Sequence, residues 1–510
     1  MEIELKLLVN AKAAEALRRH PLLKKYASVK PHEQKMSDVY FDTPDMHIRR
    51  SDAGLRVRRV NSNWVQTLKG GSSVDGGLHS RHEWETQVTS PAPDLAELRD
   101  MVGHKSAWDS LLHCAEVEDH LVPIFTTDVK RWVWELRLPH GDQVECVLDL
   151  GTIECNLQHA PISELELELK LGDPIHLFDF ALTLLQDIPM QIGSLTKADR
   201  GYALYAPLPP AAVKAAPLKL SKRATIEQAF QAIVGNCMMQ IQANARSVAQ
   251  KNDAETLHQM RVGLRRLRSA FSLFNDMLQA PAELLQELDW LATKLGAARD
   301  WDVLTASTLP MIDEAMPDEI RIAEVTLAAS VISQEKHKAV ATAINSPRYT
   351  RLILRFTRWS LGCGWRDAMR PQEQTILTTS VTKFSRIALR STERRLQNRG
   401  RKLQQSSEKV RHRVRVAVKE TRYTLDFFQS LYRSKRVQPL VEKLSTLQDA
   451  LGWLNDAAVA DRLLKELQDG RADLDYSAGF IRGYLIARIE NDDKKIRKLW
   501  SELPPMKLCG

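Results

Sequence analysis

The sequence lacks the features that mark exported and membrane proteins. Its opening, MEIELKLLVN, has two acidic residues within the first four positions and no apolar core run, so it is not typical of a secretory signal. No apolar stretch approaches the length of a membrane span. The six cysteines are scattered without a CxxC or zinc-type spacing, which predicts ordinary reduced thiols. These absences predict a cytoplasmic protein with no membrane partner.

The sequence also lacks a GxxxxGK[ST] phosphate-binding loop, and no pattern points to a covalent nucleophile. At 510 residues the chain exceeds what one hydrophobic core usually supports, so we expect two domains. Residues 1–205 contain 23 basic and 31 acidic residues, whereas the rest of the chain contains 49 basic and 33 acidic ones. The basic half either meets a polyanion or only serves solubility, and charge alone does not separate these readings.

Two kinds of hydrophobic periodicity lie on either side of residues 206–217, a Pro- and Ala-rich segment that we interpret as a linker. Residues 1–205 form the first predicted domain and residues 218–510 the second. Before the linker, apolar and charged residues alternate with a period of two, which predicts an antiparallel sheet or barrel with strands at 2–8, 55–60, 65–69, 82–88, 129–138, 144–150 and 162–171. Helices are expected at 11–26, 94–101 and 176–186.

After the linker the apolar spacing changes to three and four, which predicts an all-α domain. This half contains an internal repeat: HQMRVGLRRLR, from His258, corresponds to HRVRVAVKETR, from His412. The segment LGAARD from Leu295 similarly corresponds to LGWLND from Leu451. We therefore predict a duplicated helical bundle with pseudo-twofold symmetry.

Nearly every predicted strand of the first domain has one strongly charged face, because residues two apart point to the same side. Glu2, Glu4 and Lys6 share such a face, and the same rule aligns Arg56 with Arg58. It also aligns Thr67 with Lys69, Glu83 with Glu85, Glu145 with Asp149, and Glu164 with Glu166, Glu168 and Lys170. One such face alone would be read as solvent-exposed, but repeated carboxylate and guanidinium pairs favour a barrel with inward charges. Carboxylates suit Mg²⁺ or Mn²⁺, and Arg and Lys suit phosphate, so the pattern predicts a metal-bound polyphosphate.

The motif Glu2-Ile-Glu4-Leu-Lys6 resembles the ExExK signature of the CYTH, or triphosphate tunnel metalloenzyme, superfamily. Supporting motifs follow in the expected order: YFDT from Tyr40, LRVR from Leu55, TLK from Thr67, EWE from Glu83, DLG from Asp149, ELELE from Glu164 and SLTK from Ser194. The resemblance covers about residues 1–205. It implies an α+β multi-domain chain whose first domain is an eight-stranded antiparallel β-barrel tunnel with flanking helices, binding a triphosphate and two divalent cations, Mg²⁺ or Mn²⁺.

Carried over position by position, the resemblance implies roles for individual residues. The implied metal ligands are Glu2, Glu4, Asp149, Glu164, Glu166 and Glu168. The implied phosphate-binding residues are Lys6, Arg56, Arg58, Lys69, Arg131, Lys197 and Arg200. Glu4, Lys6 and Glu166 are the expected catalytic residues. Because Glu164, Glu166 and Glu168 share one face, the sequence leaves open which of them bind metal.

The implied reaction is in-line attack of water on a terminal phosphorus of inorganic triphosphate, which yields diphosphate and orthophosphate. An adenylate cyclase, or a thiamine- or nucleoside-triphosphatase, stays open as an alternative, because its phosphate site would look the same. A non-catalytic polyphosphate-binding protein is the alternative of another class.

The repeated helical motifs resemble the CHAD domain, a helical domain with conserved histidines, over about residues 218–505. Helical spacing puts the charged residues of each motif on one stripe, and two stripes can form one groove. The resemblance implies polyphosphate binding by His258, Arg261, Arg265, Arg268, His412, Arg415, Lys419 and Arg422. One departure is Asn455, which stands where the first repeat has Arg299. Nucleic acid is disfavoured as a partner, because the stripe has no interleaved aromatic residues for base stacking.

Overall fold

The structure is a computed structural model that describes residues 1–60, 63–103, 106, 108–207, 209, 211–250, 253–316, 321–405 and 407–504. The chain divides into two compact units. We call Met1–Pro210 together with Asn345–Gly362 the barrel unit, and Ala211–Ile344 together with Cys363–Gly510 the helical unit. Residues 345–362 thus belong with the barrel, although they lie far beyond the linker in sequence.

The strands are β1 (Glu2–Leu8), β2 (His32–Asp42), β3 (Ala53–Val60), β4 (Asn63–Asp75), β5 (Leu78–Val88), β6 (Val122–Arg137), β7 (Gln143–Cys155), β8 (Gln158–Leu171) and β9 (Gln191–Ile192). The α-helices are α1 (Ala11–Arg18), α2 (Pro21–Tyr26), α3 (His47–Arg50), α4 (Leu95–Val102), α5 (Asp109–Leu112), α6 (Ala115–His120), α7 (Pro174–Asp187), α8 (Lys197–Tyr205), α9 (Ile226–Gln250), α10 (Ala254–Phe274), α11 (Ala282–Val303), α12 (Leu309–Ala315), α13 (Ile322–Ile344), α14 (Pro347–Leu361), α15 (Pro371–Gln374), α16 (Val381–Gly400), α17 (Glu408–Phe428), α18 (Ser434–Gly470) and α19 (Asp475–Ser501).

Eight strands close into an antiparallel barrel in the order β5-β4-β3-β2-β6-β7-β8-β1, with β1 pairing back to β5. The short β9 pairs with the end of β1. The registers bring charged residues together: Lys6 lies opposite Glu166, and Asp149 lies opposite Glu164. Closure removes the exposed sheet edges and leaves one face of every strand pointing inward.

The outer face of the barrel is apolar and covered by helices. Leu5 and Leu7 of β1 alternate with Glu4 and Lys6, and both leucines are fully buried in a core that includes Phe178 of α7. Leu354 of α14 belongs to the same core. This core therefore lies outside the barrel, whereas the inner face carries the charged residues together with an apolar cluster that includes Met36 and Tyr40 of β2.

The helical unit repeats one helical arrangement. Helix α10 packs against α9, and α17 packs against α16, so each repeat begins with an antiparallel pair. Contacts between α10 and α17, and between α11 and α18, join the two repeats. One core of this unit is formed by buried apolar residues of α11, α13, α18 and α19, and another by those of α16, α17 and α18.

The predicted fold class, a charged antiparallel barrel followed by a duplicated helical bundle, is confirmed. The seven predicted strands all exist, and most extend beyond the predicted bounds. Strand β2 was not predicted, and the predicted helix 11–26 is interrupted between α1 and α2.

Cys114, Cys146, Cys155, Cys237 and Cys363 are free thiols, whereas Cys509 lies outside the described residues. Residues 208 and 210 of the predicted linker also lie outside them. Among the helices of the described ranges, none combines the length and the low charge needed to cross a bilayer.

Candidate active site and polyanion site

The barrel encloses a cavity of about 720 Å³ that is lined by the charged faces of its strands. The side chains that line it include Glu2, Glu4, Lys6, Tyr40, Arg56, Arg58, Thr67, Lys69, His79, Arg81, Glu83, Glu85, Arg131, Glu145, Glu166, Glu168, Lys170 and Lys197. The charged faces that were aligned by the period of two therefore point into the barrel.

Three carboxylates from the adjacent strands β7 and β8 meet where Glu166 lines the cavity, whereas Asp149 and Glu164 are fully buried next to it. Asp149, Glu164 and Glu166 each offer an oxygen, and these oxygens all lie within 4.8 Å of one another. The Lys197 ammonium lies among them, with Nζ 2.7 Å from Asp149, 2.5 Å from Glu164 and 2.9 Å from Glu166. Lys6 adds a second ammonium, 2.7 Å from Glu166.

The carboxylates and ammonium groups of this cluster stabilise one another in their charged forms. Burial alone would raise the pKa of Glu166, but Lys197 and Lys6 hold that pKa well below its usual range. Burial alone would lower the pKa of Lys197, but Asp149 and Glu164 raise it well above its usual range. Both lysines therefore stay protonated at neutral pH and act as fixed positive charges.

Local structure puts Lys197 in this position. Lys197 is the first residue of α8, and a capping box orients that helix: Thr196 accepts from the Asp199 N–H, and the Asp199 carboxylate accepts from the Thr196 N–H. Arg200 follows one turn later, with Nη1 3.6 Å from Glu164 Oε2. Arg131 of β6 approaches from the other side and binds Asp149 with both arms of its guanidinium, at 2.8 and 2.7 Å.

A second charged cluster links β1, β4 and β5. Arg81 donates to Glu2 and to Glu4, at 2.7 Å in each case. Lys69 donates to both oxygens of Glu2, at 2.9 and 2.8 Å. Burial would raise the pKa of Glu2, but Lys69 and Arg81 lower it to about 2.

A third cluster joins β2 to β3. Arg58 binds Asp38 through Nε and Nη2, at 2.7 and 2.9 Å, and Arg56 Nη1 lies 3.4 Å from the same carboxylate. Despite its burial, Asp38 has a pKa of about 2, because both guanidinium groups stabilise its charge. The two arginines of LRVR are thus held by a carboxylate that the sequence analysis did not select.

The predicted tunnel residues are not all equally placed. Lys6, Arg56, Arg58, Lys69, Arg131 and Lys197 line the cavity, whereas Arg200 is not among the lining residues and lies behind Glu164. Glu168 pairs with Lys170 at 2.6 Å, and its side chain is partly exposed. Of the six predicted metal ligands, the structure brings Asp149, Glu164 and Glu166 together, while Glu2 and Glu4 belong to the Arg81 cluster.

Sequence reasoning missed three inward side chains, Arg81, Asp38 and His79. Arg81 and His79 lie two and four residues before Glu83, so the period of two that selected Glu83 and Glu85 also selects them. His79 is buried, and its Nε2 donates to the carbonyl of Gly193 at 2.8 Å. Asp38 lies on β2, the strand that was not predicted.

In the helical unit, the two predicted basic stripes lie on α10 and α17, which contact each other. N-caps start both helices: Asp253 accepts from backbone N–H groups of α10, and Ser407 accepts from the Val410 N–H. His258, Arg261, Arg265, Arg415, Lys419 and Arg422 are partly buried, whereas Arg268 and His412 are exposed. Arg261 and Arg265 of one stripe and Arg415 and Lys419 of the other therefore form one cluster where the repeats meet.

Cations in this cluster repel one another. Burial, together with the charges of Arg415 and Arg265, lowers the pKa of Lys419 to about 7. Burial and Arg299 likewise lower the pKa of His258 to about 4. Burial and Arg265 lower the pKa of Arg261 to about 10. An added anion would stabilise the charged forms of Lys419 and Arg261, whereas His258 is neutral at pH 7.

The two repeats contribute unequal positive charge to this cluster. Arg299 of the first repeat adds positive charge near His258 and Arg261. Its counterpart Asn455 instead accepts a hydrogen bond from Arg415 Nη1 at 2.7 Å. Asp300, in the repeated LGAARD segment, and its counterpart Asp456 are the acidic residues that face Arg261 and Arg415.

Two domain families match the chain in succession. The CYTH domain family model matches residues 1–202, and the CHAD domain family model matches residues 232–465. An inorganic triphosphatase of Haemophilus influenzae is 32% identical over 204 residues, which are 40% of this chain and 54% of that protein. The match thus spans about half the length of that relative.

Among solved structures, the CHAD domain from the plant Ricinus communis is 39% identical, with a TM-score of 0.53, and covers 59% of this chain and 99% of that one. A putative adenylyl cyclase from Hippeastrum, described as having a dominant triphosphatase activity, is 19% identical, with a TM-score of 0.30, and covers 40% of this chain and 96% of that one. The chain belongs to the proteins in which a CYTH domain is followed by a CHAD domain.

Proposed function

We propose that the barrel unit hydrolyses inorganic triphosphate to diphosphate and orthophosphate with the aid of divalent cations. The observation that carries this proposal is the closed barrel whose cavity is lined at once by carboxylates, including Glu166 of the three-carboxylate cluster, and by lysine and arginine side chains. A triphosphate needs both, because metal ions and basic groups must together balance its charge. The similarity of residues 1–202 to the CYTH family, and to a triphosphatase over part of its length, supports the same reading.

The donor set fits Mg²⁺ or Mn²⁺. Asp149, Glu164 and Glu166 supply only carboxylate oxygens, which these cations prefer, and the oxygens lie close enough together to share an ion. Glu2 and Glu4 remain candidates for a second cation, with Glu168 as a further candidate. When bound, such ions polarise phosphoryl oxygens and lower the pKa of water. Because Lys197 now pairs with all three carboxylates, together with Lys6 and Arg131, we expect cations bound there to release its ammonium towards the substrate.

The side chains of the chain itself bind and orient the phosphates. Arg56, Arg58 and Arg131 offer guanidinium groups that suit two oxygens of one phosphate, and Lys6 and Lys69 offer ammonium groups. In the reaction, a water oxygen bonds to the terminal phosphorus as the bridging P–O bond breaks, diphosphate leaves with the electron pair, and the proton lost by the water passes to solvent. The fixed positive charges of Lys6 and Lys197 stabilise the charge that spreads over the transferring group.

The lining favours an inorganic substrate over a nucleotide or a thiamine ester. Among the described residues that line the cavity, Tyr40 is the single Phe, Tyr or Trp side chain, and it stacks on Phe125 with ring centroids 4.4 Å apart. A base or a thiazolium ring usually requires an apolar or aromatic surface. The remaining lining is mainly charged, which suits a substrate made of phosphates alone.

Phosphate release tests the proposal directly. Inorganic triphosphate, ATP, thiamine triphosphate, diphosphate and long-chain polyphosphate are each incubated with Mg²⁺, with Mn²⁺ and with chelator. We expect metal-dependent release from triphosphate and far slower release from ATP. Cyclic AMP from ATP would establish the cyclase alternative, and no release from any substrate would favour a non-catalytic polyphosphate-binding protein.

The helical unit is proposed to hold polyphosphate. The support comes from the basic side chains that α10 and α17 bring together, where burial and then neighbouring cations lower the pKa values of Lys419, His258 and Arg261. A flexible polyanion can follow both stripes and relieve this repulsion. The shortage of aromatic side chains along the stripes supports polyphosphate rather than single-stranded nucleic acid.

A further inference from the structure

Helix α14 is part of the barrel unit, although its sequence lies in the helical half of the chain. Its Leu354 is fully buried in the core that surrounds Leu5 and Leu7. Its Arg358 pairs with Asp179 of α7, with Nη2 3.1 Å from Oδ2. The helix packs on α7 and on β9. A segment distant in sequence therefore completes the outer wall of the barrel.

Two threonines of α14 reach two backbone segments of the barrel. The Thr350 hydroxyl donates to the carbonyl of Met190 at 2.8 Å, and this contact is buried. Two helical turns further on, Thr357 lies against Gly76 in the turn between β4 and β5. Gly76 has a φ of +60°, and a Cβ atom added there would collide with Thr357.

The same two segments hold the backbone of Lys6. The Lys6 N–H donates to the carbonyl of Gly77 at 2.9 Å, next to the turn that Thr357 touches. The Lys6 carbonyl accepts from the Gly193 N–H at 2.9 Å, three residues after the carbonyl that Thr350 binds. His79 closes this segment by donating to the Gly193 carbonyl.

We call residues 190–196 the strap. They lie between α7 and α8 in sequence, and their first residue contacts α14. At its start, Thr350 binds Met190, and the Asn345 carbonyl accepts from Gln191 Nε2 at 3.1 Å. In its middle, Gly193 packs so closely on the side chain of Lys6 that an added Cβ would overlap the Lys6 methylenes. At its end, Thr196 caps α8 and Lys197 enters the carboxylate cluster.

We propose that α14 braces the strap and that Thr350 is a positioning residue for Lys6 and Lys197. Thr350 touches neither lysine, so its action passes through the strap. Without its hydroxyl, the buried carbonyl of Met190 would lose its side-chain donor, and the strap would open more often. Both lysines bear on phosphate binding, so this inference rests on the proposed hydrolysis, and small displacements of such groups reduce turnover.

The test uses three variants of the full chain. Thr350→Val removes the hydroxyl and keeps the shape, Thr350→Ser keeps the hydroxyl, and Thr357→Val is the matched control. Thr357 is as buried as Thr350 on the same helix, but among the described residues its hydroxyl has no hydrogen-bond partner. Amide hydrogen exchange of Lys6 and Gly193 is measured, together with kcat and KM for triphosphate.

For Thr350→Val we expect exchange at Gly193 to rise about 5- to 10-fold, and kcat to fall by a similar factor with a smaller change in KM. Thr350→Ser should restore both, and Thr357→Val should match the parent protein. Equal exchange at Gly193 in the two valine variants would contradict the proposal that α14 braces the strap. A fall in kcat that is explained entirely by a smaller folded fraction would contradict it as well. If the parent protein hydrolyses no triphosphate, the proposed function fails, but the exchange result still decides whether α14 braces the strap.

Discussion

The barrel cavity and the helical cluster both gather basic side chains, but they balance them in opposite ways. In the cavity, carboxylates pair with the cations, and the pKa values of Lys6 and Lys197 are raised. In the helical cluster, burial and the neighbouring Arg415 and Arg265 lower the pKa of Lys419 to about 7. The same residue types thus form a self-neutralised site in one unit and a site with excess positive charge in the other.

This difference indicates what each site requires of a ligand. A ligand of the cavity must exchange existing ion pairs for new ones, which is costly unless cations accompany it to satisfy the carboxylates. A ligand of the helical cluster has few ion pairs to break and gains by neutralising repelling charges. The first arrangement suits a small substrate bound with metal ions, and the second suits a long anion held without chemistry.

The largest expected effect tests the carboxylate cluster. Glu166→Gln removes the charge that Lys6, Lys197 and Arg131 share, together with a candidate metal ligand. We expect kcat for triphosphate to fall about 1,000-fold, because electrostatic support of the transition state and metal binding are lost together. Steady-state phosphate release measures it.

Glu168→Gln is the comparison for this prediction, since Glu168 lies two residues further along the same face but pairs with Lys170. We expect a loss of at most about 10-fold for that variant. Similar losses in the two variants would show that all the glutamates of β8 serve the cations equally. A Glu166→Gln enzyme with normal kcat would remove Glu166 from the site.

A smaller effect is expected from Arg81, which sequence reasoning missed. Arg81→Gln leaves Glu2 and Glu4 without their shared guanidinium partner. We expect kcat/KM to fall about 10- to 100-fold, because the loss of one partner leaves buried charge uncompensated. Arg81→Lys should recover part of the loss, since it restores the charge but not the double contact. If Arg81→Gln keeps full kcat/KM, Arg81 lines the cavity without contributing to turnover.

The barrel illustrates what sequence could and could not provide. A period of two correctly placed Glu2, Glu4 and Lys6 on one face, because side-chain direction along a strand is a local property. The pairing of Lys6 with Glu166 is set by strand register across 160 residues, so no local pattern reveals it. The sequence predicted six metal ligands without distinguishing them. Only the strand register shows that Asp149, Glu164 and Glu166 lie together.

Two elements show why the rest escaped prediction. The inward face of β2 carries Met36, Asp38 and Tyr40, so apolar and charged residues do not alternate cleanly there. Helix α14 has a clear helical period, yet that period does not say which core its apolar face joins. Its assignment to the barrel unit follows from tertiary packing alone.

The smallest expected effect tests the excess charge of the helical cluster through pH. A bound polyanion favours protonated Lys419, whose pKa in the free protein is about 7. Affinity for polyphosphate should therefore be constant below pH 7 and fall above it, by at most about 10-fold per pH unit for one group. Calorimetric titration with chelator present, which prevents metal-dependent turnover, measures this profile.

Variants separate Lys419 from the other cations of the cluster. Lys419→Arg should flatten the profile, because its guanidinium keeps its proton across the range. Lys409→Ala, an exposed lysine on the same helix, should leave the profile unchanged. A fall above pH 7 that survives in Lys419→Arg would assign the titration to another group. A flat profile in the parent protein would mean that polyphosphate does not contact Lys419. The difference in charge balance between the barrel cavity and the helical cluster would then depend only on the arginines of that cluster.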